Sequence, residues 1–203
     1  RHMHGEVISR LKMETDLRHA CERNEFIINY QPIVSLNSRM LIGFEALVRW
    51  HHPEYGTISP ADFIPVAEET GQILSIGQTV LEAACRQAKF WQVKYPTTPL
   101  FVSVNLSVKQ FNQPGLIENI SRALTETKIA PHCLKLEITE TVFSENIEAA
   151  VELLTKLRAL GVQLSIDDFG TGYSSLSYLQ RFPIDTLKID RSFVSRMLEN
   201  EEN

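Results

Sequence analysis

The sequence has no closely spaced cysteine pair, no long apolar run and no excess of basic charge. Its three cysteines are Cys21, Cys85 and Cys133. An odd count, wide spacing and no CxxC argue against a disulfide framework or a zinc site. The three read instead as small buried hydrophobes in a reducing compartment. No stretch reaches the roughly 18 apolar residues of a membrane span. No signal peptide opens the chain either, so a cytoplasmic domain without membrane contact is expected. The net charge of −5 and pI near 5.7 argue against binding a nucleic-acid polymer, which needs a basic face. They leave open a small anionic ligand held through cations. No Gly/Ser linker, low-complexity tract or internal repeat divides the 203 residues, which fits one large domain. With 43% hydrophobic residues, a core can form without staples. Residues 1–3, "RHM", read as a tag remnant, which places the domain at 4–203.

What the chain does have is alternation. Short runs rich in branched residues, "FIINYQPIVSL", "MLIGFEALVRW", "LFVSVNLS", "CLKLEITE", "VQLSIDDF" and "DTLKIDRSF", are the strand candidates. Among them lie helical patterns: "ADFIPVAEETGQ", "SIGQTVLEAACRQAKFWQVKY", "PGLIENISRALTETK" and "NIEAAVELLTKLRALG". Pro60 after Ser59 marks a helix start, and Gly161 marks a helix stop. Such alternation predicts βα units and a mostly parallel sheet. The first connection, "VSLNSRML", is a short polar turn, so the first two strands are expected to form an antiparallel hairpin. Six strands are visible. An eight-stranded βα barrel takes about 250 residues, so the chain is about two units short of one. An open six-stranded sheet is the alternative, at the cost of unprotected edges.

Polar residues gather where the apolar runs end. Glu45 closes "GFE", Asn105 closes "FVSVN", Glu137 and Glu140 lie in "LKLEITE", Asp167 and Asp168 in "LSIDD", and Lys188 and Asp190 in "LKID". In a parallel βα sheet the carboxyl ends of the strands form the ligand face. A lone Asp at such a place is as often a helix cap, but five strands delivering acids, an amide or a lysine to one face make a cluster. Crowded carboxylates repel and are relieved by protons or by cations. Oxygen donors without a thiolate or histidine cluster point to Mg²⁺ or Mn²⁺. The adjacent Asp167 and Asp168 can serve two neighbouring ions, the arrangement that activates water in phosphodiester cleavage. Trp50, Tyr55 and Phe169 are candidates for stacking on a base, with core packing the competing reading for Phe169. His51 and His52 read as loop residues near the substrate, with no third ligand to make a zinc site.

These residues carry a resemblance. "EAL" at 45–47 followed by Arg49, "YQPIV" at 30–34, "VNLS" at 104–107, "LEITE" at 136–140, "DDFGTGYSSL" at 167–176 and "PIDTLKIDRSFV" at 183–194 resemble the sequence blocks of EAL-domain cyclic di-GMP phosphodiesterases. They stand in the family's order and cover nearly the whole chain. The resemblance implies a TIM-like (βα)₈ barrel with one antiparallel strand. It implies hydrolysis of cyclic di-GMP to linear pGpG with two Mg²⁺ or Mn²⁺ ions and inhibition by Ca²⁺. Carried over, Glu45, Asn105, Glu137 and Asp167 hold one ion, while Asp167 and Asp168 reach the second. Lys188 positions the attacking water. Glu140 tethers the loop that begins "DFGTG", and Gln31, Leu47 and Arg49 meet the substrate. A homodimer and upstream sensor or cyclase domains are likewise implied. "RLKMETDLRHACERNEF" reads as the connecting helix and the domain's first helix. A later strand with an "EGVE"-like motif is not in this sequence. The chain is therefore read as part of a longer barrel whose second ion site lacks one glutamate. The competing readings are a receptor that binds cyclic di-GMP without cutting it and a signalling interaction module.

Overall fold

A computed structural model describes residues 10–144, 146–170, 179 and 181–196. Helix α1 (Arg10–Ala20) leads into β1 (Phe26–Val34) and β2 (Leu41–His52), and β2 turns back into the short β3 (Gly56–Ile58). Next come α2 (Pro60–Thr70), α3 (Ile73–Lys94), β4 (Phe101–Leu106), α4 (Val108–Phe111) and α5 (Leu116–Thr127). The chain continues through β5 (Leu134–Thr139), α6 (Ile147–Ala159), β6 (Gln163–Phe169), β7 (Thr186–Ile189) and α7 (Arg191–Arg196). The sheet runs β1-β2-β4-β5-β6-β7, with β3 attached to β2. β1 and β3 pair antiparallel with β2, and every other pairing is parallel. This is the α/β class and the antiparallel first hairpin that the sequence predicts. Among the described residues the sheet does not close on itself.

Local chemistry explains the boundaries. Ser59 caps α2 by accepting from the Ala61 N–H, with Pro60 in the first turn. Apolar residues of α3 recur at helical spacing, Ile73, Ile76, Val80, Leu81, Ala84 and Ala88, and all are buried. Asn146 caps α6, and Gly161 beyond its end takes φ 87°, where a side chain is strained. Two expectations need correction. β3 was not anticipated, because three residues offer no periodicity. The last strand stops at Ile189 rather than running to Phe193. Asp190 instead accepts from the Ser192 N–H at 2.9 Å and starts α7.

The core lies between the sheet and the helices. Val102, Leu134, Leu136 and Leu164 are fully buried on the helical side of the central strands. Phe26, Trp50 and Phe63 pack with ring centroids 5.7–6.0 Å apart. All three cysteines are free, and burial pushes the Cys85 thiol up to about 12. Among the described residues, no helix is long and apolar enough to cross a membrane.

Gly77 of α3 makes a test of this packing. A Cβ there would stand 1.8 Å from Nε2 of Gln110. The Gln110 side chain is committed to a capping box with Ser107 at the start of α4. Helix propensity alone predicts that Gly77→Ala stabilises by about 1 kcal/mol. We expect the opposite, a loss of about 1–3 kcal/mol from overpacking, read by urea denaturation.

Candidate metal centre

Strand alternation sorts the candidate residues onto two faces. On β2, Ala46, Val48 and Trp50 belong to the core, Phe44 stacks on Trp91 of α3, and His52 reaches Asp16 of α1. Glu45, Leu47 and Arg49 have the opposite parity and face away from the helices. So do Asn105 of β4, Glu137 of β5, Asp167 of β6 and Lys188 of β7. In the parallel ladders Asn105 stands opposite Glu137, and Thr139 opposite Asp167. These residues therefore converge near the carboxyl ends of neighbouring strands.

Carboxylate oxygens of Glu45, Glu137 and Asp167 lie within 4.8 Å of one another. The Lys188 ammonium sits among them, 2.5 Å from Glu137 Oε2, 2.9 Å from Asp167 Oδ2 and 3.3 Å from Glu45 Oε2. Asn105 donates its amide N–H to Glu45 Oε1 at 2.9 Å, which leaves its carbonyl as a further donor atom. Three carboxylates and one amide oxygen form a hard donor set of the kind Mg²⁺ and Mn²⁺ prefer. The ammonium already marks the point where these oxygens accept positive charge.

Burial is the largest influence on Glu137 and pushes its carboxyl above the usual range, with Lys188 acting against it. Burial also opposes the charge on Lys188. The hydrogen bonds it donates to Glu137 and Asp167 outweigh that burial and hold the ammonium well above its ordinary range. Asp168 is raised by burial, then by the neighbouring charges of Asp167 and Asp190. It adopts φ 52° and donates its N–H to Asp167 Oδ1 at 2.9 Å. It lies beside the triad rather than within it.

Glu140 follows β5 in a 3₁₀ turn, and its Oε1 accepts from the Gly170 N–H at 3.0 Å. Gly170 has φ 99°, and a Cβ there would stand 2.9 Å from the Phe193 ring. The start of the loop is thus held from two sides. Gly172 and the rest of that loop, 171–178, lie outside the described residues. Gln31 stands opposite Glu45 in the β1/β2 ladder, and Leu47 opposite Asn29. The Arg49 guanidinium donates to its neighbour's carbonyl, Val48 O, at 2.8 Å. Glu54 pairs with Lys12, so it does not occupy Arg49.

Other candidates belong elsewhere. Trp50 is fully buried and donates from Nε1 to Glu25 at 2.9 Å, so it is a core residue. His52 is buried and structural. Its Nδ1 accepts from the Glu54 and Tyr55 N–H groups, so Nε2 carries the proton donated to Asp16. Tyr55 bonds Lys12, and Phe169 packs against the core. The sequence reading missed the floor of this face. There Phe101 lies against Gly43, and Lys135 sits 4.2 Å over the Phe101 ring while donating to Thr186. It also missed the buried serines Ser103 and Ser165, whose parity was legible but whose burial was not.

The EAL-domain profile matches residues 14–203. The bifunctional diguanylate cyclase/cyclic di-GMP phosphodiesterase MucR of Pseudomonas aeruginosa is 42% identical over 201 residues, 99% of this chain and 29% of its own length. The uncharacterized protein sll1895 of Synechocystis is also 42% identical over 201 residues, 99% of this chain and 29% of its own length. The chain thus spans under a third of these curated relatives. A solved structure of the PaMucR phosphodiesterase in complex with c-di-GMP superposes with a TM-score of 0.89 at 43% identity, covering 94% of this chain and 77% of that one. The FimX EAL domain from Pseudomonas aeruginosa bound to c-di-GMP superposes at 0.82 with 26% identity, covering 92% and 74%. With the profile spanning residues 14–203 and the fold superposing over nearly the whole chain, the chain belongs to the EAL-domain family.

Proposed function

We propose that this domain hydrolyses cyclic di-GMP to linear pGpG in a reaction that needs Mg²⁺ or Mn²⁺. The observation that carries the reading is the convergence of Glu45, Glu137 and Asp167 within 4.8 Å, from three strands, around one cationic point. The kinship to MucR, a cyclic di-GMP phosphodiesterase by name, supplies the substrate. Glu45, Asn105, Glu137 and Asp167 would hold the first ion, and Asp167 and Asp168 would contribute to a second. Bound there, such ions supply a water of lowered pKa and steady the leaving oxygen.

The chain's own residues do the rest. Lys188 keeps its ammonium beside the carboxylates, where it orients the attacking water and offsets phosphate charge. Arg49 turns from Val48 O to a phosphate oxygen, a stronger charge-assisted partner. Gln31 and Leu47 line the substrate side of the same face. Glu140 fixes the loop start through Gly170. We read the domain as a cytoplasmic output module, a homodimer behind sensor or cyclase domains, in keeping with its 29% share of the bifunctional MucR.

Chromatography of cyclic di-GMP incubated with the chain tests the reading. A pGpG peak with Mg²⁺ that vanishes with EDTA or Ca²⁺ supports it. Nucleotide binding without cleavage under any metal would replace it with the receptor reading.

A further inference from the structure

Four buried side-chain polar atoms among the described residues lack a hydrogen-bond partner: Gln72 Oε1, Glu140 Oε2, and the hydroxyls of Ser103 and Ser165. Both serines are completely buried. Both have the parity of the carboxylate cluster, and they sit on the two strands that flank β5. Ser165 stands directly opposite Glu137 in the β5/β6 ladder. Ser103 stands opposite Lys135, one inward-facing position below the pair Asn105 and Glu137. Glu137 is thus bracketed by a hydroxyl on each neighbouring strand. The Ser103 hydroxyl is near enough to favour the ionised form of Glu137 without reaching hydrogen-bond geometry.

Two buried, unsatisfied hydroxyls are costly, and strands favour β-branched or aromatic residues instead. Alanine at both positions would fill nearly the same volume without that cost. A fold built for stability alone has no use for serine here. The hydroxyls need an acceptor, and the ladder register places the buried Glu137 carboxylate on the strand between them. Here the Lys188 ammonium draws Glu137 Oε2 to itself at 2.5 Å. A carboxylate that ligates a metal keeps further lone pairs, and outer partners on those lone pairs fix its orientation.

We propose that Ser103 and Ser165 are positioning residues of the metal centre, turning their hydroxyl protons onto Glu137 when a divalent cation draws that carboxylate away from Lys188. This inference rests on the metal reading above. It assigns to the two serines hydrogen bonds to Glu137 that are completed when metal is bound.

The test is Mn²⁺ binding, read as the loss of the free-ion signal in electron paramagnetic resonance, for the native chain, Ser103→Ala, Ser165→Ala and the double variant. Melting temperatures in EDTA accompany each titration. The expected result is Mn²⁺ affinity weakened roughly tenfold to a hundredfold in the double variant and less in each single one. The metal-free melting temperatures should be unchanged or raised, since a desolvated hydroxyl has been removed. Equal Mn²⁺ affinity in all four chains overturns the inference and leaves the metal reading standing. A metal-free melting temperature that falls along with affinity also overturns it, by showing a packing role. A native chain that takes up no Mn²⁺ overturns the metal reading itself.

Discussion

Glu45→Ala is expected to reduce turnover of cyclic di-GMP by more than about a hundredfold while leaving the fold intact. Loss of an outer partner of a metal ligand already costs about tenfold to a hundredfold. Loss of one carboxylate out of three should cost more. The fold should tolerate the change, because both neighbours of Glu45 keep alternatives. Asn105 is exposed and finds water for the amide N–H it now gives to Glu45. Lys188 retains Glu137 and Asp167. A stability change within about 1 kcal/mol is expected, in the range of substitutions that leave neither a cavity nor an unpaired buried charge. Steady-state assays with Mg²⁺ and thermal melts of the same preparation check both halves. Retained turnover would remove Glu45 from the ligand set.

The sequence shows why Glu45 is reachable by reasoning and why its neighbours misled. The branched runs announce the strands, and their polar endings announce the ligand face. Within β2, however, period two separates Glu45, Leu47 and Arg49 from Trp50 and His52. Trp50, a stacking candidate, and His52, read as a loop residue near the substrate, have the wrong parity and serve the core and α1 instead. That correction was available from the sequence itself. The closure of Lys188 on three carboxylates was not. It depends on the register of five strands, from β2 to β7, which no local pattern encodes. The short β3 and the early end of β7 escaped for a related reason. Pairing with β2 makes the first, and a single Asp190 cap makes the second.

Lys188→Met should separate the two roles of that lysine. The native ammonium balances three carboxylates, one of them only 2% exposed. Methionine keeps much of the length and removes the charge. Breaking a buried ion pair by removing one partner typically costs 3–5 kcal/mol. Lys188 is itself 31% exposed, so a loss of about 2–3 kcal/mol in EDTA at neutral pH is the expected result. The sign of its pH dependence follows. Without the ammonium, burial acts on Glu137 unopposed, and its carboxyl holds its proton at higher pH in the folded state than in the unfolded chain. Stability is then present below the ordinary carboxylate range and declines as pH rises through the raised value. The deficit should therefore be small in acid and full near neutrality. Mn²⁺ or Mg²⁺ should restore the melting temperature, since binding to the folded state alone stabilises in proportion to the logarithm of metal over Kd. Turnover should stay lost, because the metal replaces the charge of Lys188 but not the water-orienting role proposed for its ammonium. A variant that melts like the native chain in EDTA would show that the carboxylates need no internal cation. A variant rescued in both stability and turnover would show that the lysine serves only the fold.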